Sequence, residues 1–188
     1  MSWIKEKSFE DAGTQLNKIL QESPVIDNIM KVHSLRPHTL TGHLALYRNV
    51  LHHSSNTLPK WYLEAIGVYV SAVNQCVYCI SHHKEGVKKN YADESEALVI
   101  IDALVKKRPE LFFTGFFLEG LNYAKQLTLA PSTIREDEIM ALRRAGFSDG
   151  EILEINQVTA YFNYANRTVL GLGVDLHGDV TGFSPENL

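Results

Sequence analysis

The stretch NTLPKWYLEAIGVYVSAVNQCVYCISHH, Asn56 to His83, holds both cysteines of the chain. It opens as a helix: Pro59 suits the first helical position, and Leu63, Ile66, Val70 and Val73 share a face. It then presents Cys76, Cys79 and an adjacent histidine pair. A helix turns about 100° per residue, which puts Cys79 about 60° and His83 about 20° from Cys76. His82 falls about 120° away and is expected to point elsewhere. Glu64 is harder to place. On one straight helix it stands ~18 Å from Cys76 and about 120° round the axis. It can meet the cysteines only if the chain breaks between them. SAVNQC offers that break, with Asn74 expected to cap a second helix that folds back.

The spacing suits thiol chemistry. The thiolate is the nucleophile, and a free cysteine with pKa ~8.5 is mostly protonated at neutral pH. A helix start favours negative charge. His83, one turn beyond Cys79, can take a proton or stabilise a thiolate. Cys79 is then the sulfur expected to attack, and Cys76 the one that resolves a sulfenic acid as a disulfide. The helix start favours Cys76 as the thiolate instead, so the order of the two stays open. Glu64 can orient His83 or hold a relaying water once the chain has folded back. A zinc site from Cys76, Cys79 and His83 needs a fourth ligand from elsewhere.

Working outward, nearly every segment reads as helix. Ala12 to Glu22 has helical apolar spacing and ends before Pro24. A turn of helix is expected around Ile26 to Val32. Pro37 starts a helix with Leu40, Leu44, Tyr47 and Leu51 on one face. Asp93 with Glu96 reads as a capping box ahead of a stripe of Leu98, Ile101, Leu104 and Val105. ELFFTGFFLEGLNYAKQL is an aromatic helix candidate, with Phe112 to Phe117 expected in core or interface. Gly146 suits a helix stop, and Ser148 with Glu151 reads as a second capping box. Asn163, Asn166 and Arg167 form a possible polar cluster with no assigned role. His52, His53 and His82 are expected at the surface or an interface. No set of alternating segments bounded by hairpin turns suggests strands. The expectation is one all-α domain of roughly seven to nine helices. Its parts are an N-terminal helical extension (1–35), motif-bearing helices (36–90), C-terminal helices (91–171) and an irregular tail (172–188).

The bulk numbers agree. At 188 residues, 45% hydrophobic, the chain can bury a sizeable core without staples. A net charge of −4 gives no electrostatic case for nucleic acid. The N-terminus lacks an apolar signal region, and no run reaches the ~18 apolar residues of a membrane span. Two close cysteines in such a chain point to a reducing cytoplasm and to redox or metal chemistry rather than a disulfide scaffold.

With these residues placed, the sequence resembles the alkylhydroperoxidase D-like (AhpD-like) group of the carboxymuconolactone decarboxylase superfamily. The shared pattern is a glutamate, eleven residues, then Cys-x-x-Cys-x-x-x-His, with Glu64, Cys76, Cys79 and His83 in register. FSDGEILEINQVTAYFNYANRTVLGLGVDL, Phe147 to Leu176, is similar to the tails of the longer peroxidase-related members. The resemblance runs from about Arg36 onward. It implies an all-α, AhpD-like helical bundle that forms a homo-oligomer, dimer to hexamer. It also implies peroxiredoxin-type activity with Cys76, Cys79, His83 and Glu64 as catalytic residues, and no cofactor or metal. A hydroperoxide is then the substrate, and a lipoylated or thioredoxin-like protein the thiol donor. A variant of this role is a disulfide reductase serving a separate peroxidase. The studied peroxidases often carry a histidine just before the second cysteine, whereas this chain has Tyr78, a poorer proton shuttle with pKa ~10. The superfamily's decarboxylases lack the cysteine pair, which disfavours lactone decarboxylation. Against all this stands a non-catalytic oligomeric module with structural or metal-binding cysteines.

Overall fold

The computed structural model describes residues 1–7, 11 and 26–182. The helix expected over Ala12 to Glu22 lies outside the described residues, as does the end of the tail. Within them the chain is all-α, with eight α-helices and no strand. They are α1 (Asn28–Lys31), α2 (Pro37–Tyr47), α3 (Lys60–Val73), α4 (Val77–Asn90), α5 (Glu94–Val105), α6 (Gly115–Leu129), α7 (Glu136–Ala145) and α8 (Asp149–Leu172). Short 3-10 turns follow α1, precede α6 and precede α7, and a π-helical turn, Arg48–His52, follows α2.

The centre of the fold is α3. Every residue from Tyr62 to Ala72 is buried, Glu64 included. A helix apolar all round can only be an interior helix, and α4, α5, α6 and α8 pack round this one. Gly67 shapes that packing. A Cβ there would collide with the Phe162 ring, so the missing side chain lets α8 seat its phenyl group on the α3 backbone. Tyr62 is fully buried and donates its hydroxyl to the Phe117 carbonyl at 2.7 Å. Gly67→Ala is expected to destabilise the fold by about 1–3 kcal/mol through overpacking. The check is a lower denaturation midpoint with an unchanged m-value.

Local signals explain most element ends. Pro37 opens α2. Ser148 and Glu151 close a reciprocal capping box on α8, and Gly146 ends α7 at φ 110°. Asp93 accepts from the Glu96 N–H at 3.0 Å, but Glu96 takes the Tyr91 hydroxyl rather than completing the box.

Two expectations are corrected. The aromatic helix begins only at Gly115, whose φ of 50° turns the chain after an extended Thr114. Phe113 is buried against the core, with Phe112, Phe116 and Phe117 packed beside it. The inward face of α5 is Ala97, Ile100, Ala103 and Leu104, whereas Leu98 and Val105 are exposed. Apolar residues run almost all round this helix, so periodicity cannot select a face. Two of its four buried positions are alanines.

The described tail, 174–182, is irregular and tied to the rest of the chain. The N-terminal ammonium meets Asp175 Oδ1 at 2.7 Å, and the Trp3 N–H donates to the Leu172 carbonyl at 2.8 Å. The Asn28 amide reaches the carbonyls of Asp175 and His177 at 2.8 and 3.0 Å. These ties join the tail to the N-terminus and to α1, and Asp179 further on meets Tyr78 in the first turn of α4.

Candidate functional site

The chain does break between Glu64 and the cysteines, at Asn74–Gln75. Asn74 is the C-cap of α3 at φ −78°, and Gln75 takes the left-handed region at φ 61°. Cys76, not Asn74, is the N-cap of α4. The expected cap was two residues early because the Asn74 side chain is used otherwise. It donates to Asn163 and Asn166 on α8 at 3.0 and 2.9 Å, and Asn166 donates to Ser71 at 3.0 Å. The polar cluster without an assigned role therefore pins the break to α8.

Folding back brings Glu64 to His83. Glu64 is 3% exposed, and His83 Nδ1 meets its Oε2 at 2.7 Å. With Nδ1–H donating to a carboxylate, Nε2 is the nitrogen left to exchange a proton. The carboxylate nests against the bare backbone of Gly86, where a Cβ would lie 2.5 Å from Glu64 Cδ. The π-helical turn carries His52 inward, so that its Nε2 stands 4.0 Å from Glu64 Oε1 and its ring packs edge-on against Tyr47. His52 is thus not a surface residue, because a helix-period reading does not anticipate a π turn; His53 beside it is exposed.

The two sulfurs are free thiols in contact at 2.8 Å. They are not equivalent. Cys79 lines a cavity of about 60 Å³ together with His83 and Glu64, while Cys76 lies behind it with no exposed surface. The single narrow face expected for Cys76, Cys79 and His83 is therefore divided, because Cys76 precedes the helix instead of riding on it. Contact with the Cys79 thiol pulls Cys76 below the ordinary thiol range against the opposing effect of burial, helped by the N–H groups of Cys79 and Tyr78 at the start of α4. Burial, together with the neighbouring Cys76, pushes Cys79 well above that range, and the Asn166 amide offsets this in part. The two thiols are thus pushed apart, Cys76 toward ionisation and Cys79, which faces the cavity, away from it.

The opposite side of the cavity was not foreseen. Asp27, just before α1, and His82 both line it. His82 is only 10% exposed in its side chain, which corrects the expected surface position. The residue before α1 and the tail pack against it. Its Nδ1 is 3.9 Å from Asp27 Oδ2, and its Nε2 is 3.6 Å from Asp179 Oδ2. Tyr78 donates to the same Asp179 oxygen at 2.6 Å and accepts from the Ile29 N–H at 3.1 Å. Burial drives the Tyr78 hydroxyl far above its ordinary pKa, and Asp179 adds to this. No sequence signal marked Asp179, because only the tail's long-range ties bring it here.

Neutral side chains form the remaining walls. Burial, with His33 nearby, pushes His43 down to about 3, and burial raises the Tyr161 hydroxyl well above its usual range. Met30, Leu44 and Tyr47 add apolar surface.

Among the described residues, one group of possible metal ligands converges: Asp27, His82 and Asp179, with ligand atoms within 4.8 Å of one another. It does not suit a cation. Asp179 already accepts from the Asn28 N–H at 3.0 Å on both oxygens and from Tyr78, and Lys31 Nζ stands 3.8 Å away. The cysteines belong to no such group. No described helix is long and apolar enough to cross a membrane.

No protein-family model and no curated protein matches the chain. Solved structures do. An uncharacterized peroxidase-related protein of Ralstonia eutropha JMP134, described as an alkylhydroperoxidase AhpD core, superposes with a TM-score of 0.78 at 21% identity, over 93% of this chain and 91% of that one. An uncharacterized peroxidase-related protein of Silicibacter sp. TM1040 gives 0.75 at 24% identity, over 90% and 91%. The debrominase Bmp8, as a cysteine-to-alanine variant in complex with 2,3,4-tribromopyrrole, gives 0.72 at 16% identity over 95% of each chain. The chain has the AhpD-like fold, shared by peroxidase-related proteins and a debrominase alike.

Proposed function

We propose that this chain is a thiol-dependent hydroperoxide reductase whose Cys76 and Cys79 cycle between dithiol and disulfide. The observation that carries the reading is the Glu64–His83 pair, bonded at 2.7 Å and lining the same cavity as Cys79. Cys79 faces the cavity, so Cys79 meets the peroxide, and reach outweighs resting charge in choosing the attacking sulfur. Its raised pKa makes a base necessary, and the free Nε2 of His83 receives the proton. Sulfur attack breaks the O–O bond and leaves a sulfenic acid on Cys79. The Cys76 thiol then condenses with it, water leaves, and a disulfide forms. The sum is two thiols and ROOH giving a disulfide, ROH and water. A dithiol donor, lipoylated or thioredoxin-like, returns the two electrons. Delivery of those electrons to a separate peroxidase uses the same pair. The reading carries a homo-oligomer as well, and the exposed Leu98, Val99 and Val105 on α5 give it an apolar face.

The cavity walls favour one second reading. Tyr47, Tyr161 and His43 make an aromatic lining suited to a small flat ring. Two electrons from the same dithiol convert an aryl bromide to the arene and bromide, with a disulfide formed. One experiment covers both readings. Hydroperoxide consumption is followed with a lipoylated protein or thioredoxin as donor, and bromide release with bromopyrroles or bromophenols. Turnover above a Cys76→Ser/Cys79→Ser control is expected with hydroperoxide. Bromide release alone replaces the first reading with the second, and no turnover of either kind leaves a non-catalytic module.

A further inference from the structure

We propose that the carboxyl group of Asp27 is the proton donor to the oxygen that leaves when a hydroperoxide is reduced in this cavity. The proposal rests on the peroxidase reading above and adds a residue that the Glu64–His83 arrangement does not supply.

Reduction of a hydroperoxide has two proton problems. The attacking sulfur must lose a proton, which Glu64 and His83 address. The alkoxide expelled from the O–O bond must gain one, and an unprotonated alkoxide is a poor leaving group. Asp27 and Tyr78 line the cavity and Asp179 is bonded to Tyr78, and of these three acidic groups two are already committed. The Tyr78 O–H donates to Asp179 at 2.6 Å, and burial makes it a still weaker acid. Asp179 has no exposed side-chain surface. Burial alone would raise it, but the His82 ring, the Tyr78 hydroxyl and the Asn28 N–H outweigh burial and hold it ionised as an acceptor.

Asp27 is in the opposite condition. It is 9% exposed, and its Oδ1 is buried with no hydrogen-bond partner. Its Oδ2 comes no nearer to His82 than 3.9 Å. A buried carboxylate without hydrogen bonds is costly when ionised and tolerable when protonated. Burial raises Asp27 to about 6, only partly opposed by His82. Two carboxyl groups thus flank one imidazole with their proton affinities pushed apart, Asp179 down and Asp27 up, a division that marks acid and base roles elsewhere. Asp27 also lines the cavity that Cys79 lines. A peroxide whose terminal oxygen is at Cys79 has its second oxygen in the same space of about 60 Å³, whose lining includes Asp27.

The step balances. The Cys79 thiolate attacks the terminal oxygen, an S–O bond forms and the O–O bond breaks. The electron pair leaves on RO, which takes the Asp27 proton. The products are the Cys79 sulfenic acid, ROH and the Asp27 carboxylate, which regains a proton from solvent. Sulfur is oxidised and the peroxide oxygen reduced.

The test uses leaving groups of different basicity. tert-Butyl hydroperoxide expels an alkoxide that needs a proton, whereas peracetic acid expels acetate, which does not. Asp27→Asn in the full chain is expected to slow single-turnover oxidation by tert-butyl hydroperoxide about a hundredfold, within the range for one general acid, and to leave the peracetic acid rate within about twofold. A second measurement needs no variant. In the wild-type chain the ratio of the two rates cancels the ionisation of Cys79, and it should fall as pH rises through about 6, where Asp27 loses its proton. The charged and titratable groups around Asp27 are His82, His83 and Tyr78 on α4, Lys31 on α1 and Asp179 in the tail. Of these, His82 or His83 acting as the donor leaves Asp27→Asn selectivity unchanged, and that result overturns the proposal. So does an equal slowing of both peroxides, or a rate ratio that is flat from pH 5 to 7.5. A wild-type chain inert to both peroxides overturns the peroxidase reading, and this one with it.

Discussion

Cys79→Ser is expected to abolish reaction with hydroperoxide altogether, whereas Cys76→Ser should react once and stop. The two sulfurs touch at 2.8 Å and are separated mainly by what lies in front of them. Cys79 opens on the cavity, and Cys76 is covered. Without Cys79 nothing nucleophilic faces the substrate, and turnover should fall to the level of the double-serine protein. Without Cys76 the sulfenic acid on Cys79 has no neighbour to condense with. It should accumulate to one per chain, visible by mass after trapping with a 1,3-dione. A sulfenic acid trapped in Cys79→Ser instead reverses the roles. It means that the lowered pKa of Cys76, set chiefly by its contact with Cys79 and helped by the start of α4, and not access from the cavity, selects the nucleophile.

That contest between charge and access shows where the sequence stops being informative. Helices are written locally. Pro37, Gly146 and the Ser148–Glu151 box set their own ends, and the structure has them where the residues ask. The break before Cys76 was legible by contradiction, since one straight helix cannot bring Glu64 to the cysteines. Its detail was not, because Asn74 has two competing uses. The side-chain partners that make it a C-cap of α3 come from α8, 89 and 92 positions away.

The far wall of the cavity depends wholly on such distant partners. Tyr78 meets Asp179 across 101 positions, and Asn28 meets it across 151. Helix geometry misjudged what His82 faces, since a wheel describes one helix and not its neighbours. The α5 stripe failed for a related reason. Where apolar residues surround a helix, the pattern cannot choose the inward face, and here Ala97 and Ala103 are buried while Leu98 and Val105 are exposed. His52 needed a π turn to reach Glu64, and nothing in the local pattern of RNVLHH announces one.

Glu64→Gln is expected to lower the second-order rate of Cys79 oxidation by hydroperoxide by about a hundredfold, the scale on which a positioned acid–base group acts. The substitution keeps the shape of the side chain and removes the charge that holds His83 Nδ1–H at 2.7 Å. The imidazole then loses the acceptor that fixes its tautomer, and its Nε2 is no longer reserved for the cysteine proton. Loss of activity through general unfolding is separated by a second substitution that leaves Glu64 charged. In Gly86→Ala the new Cβ would lie 2.5 Å from Glu64 Cδ and 2.7 Å from Oε2, so the carboxylate must move off the α4 backbone. This variant should lose a similar factor with its carboxylate intact. If both act by parting Glu64 from His83, the double variant should be hardly slower than either single one, because a bond already broken cannot be broken twice. Stopped-flow oxidation of the three proteins, with melting curves as a check on folding, measures this directly. Fully additive losses mean that Glu64 and Gly86 act by separate routes, and the Glu64–His83 bond then leaves the mechanism.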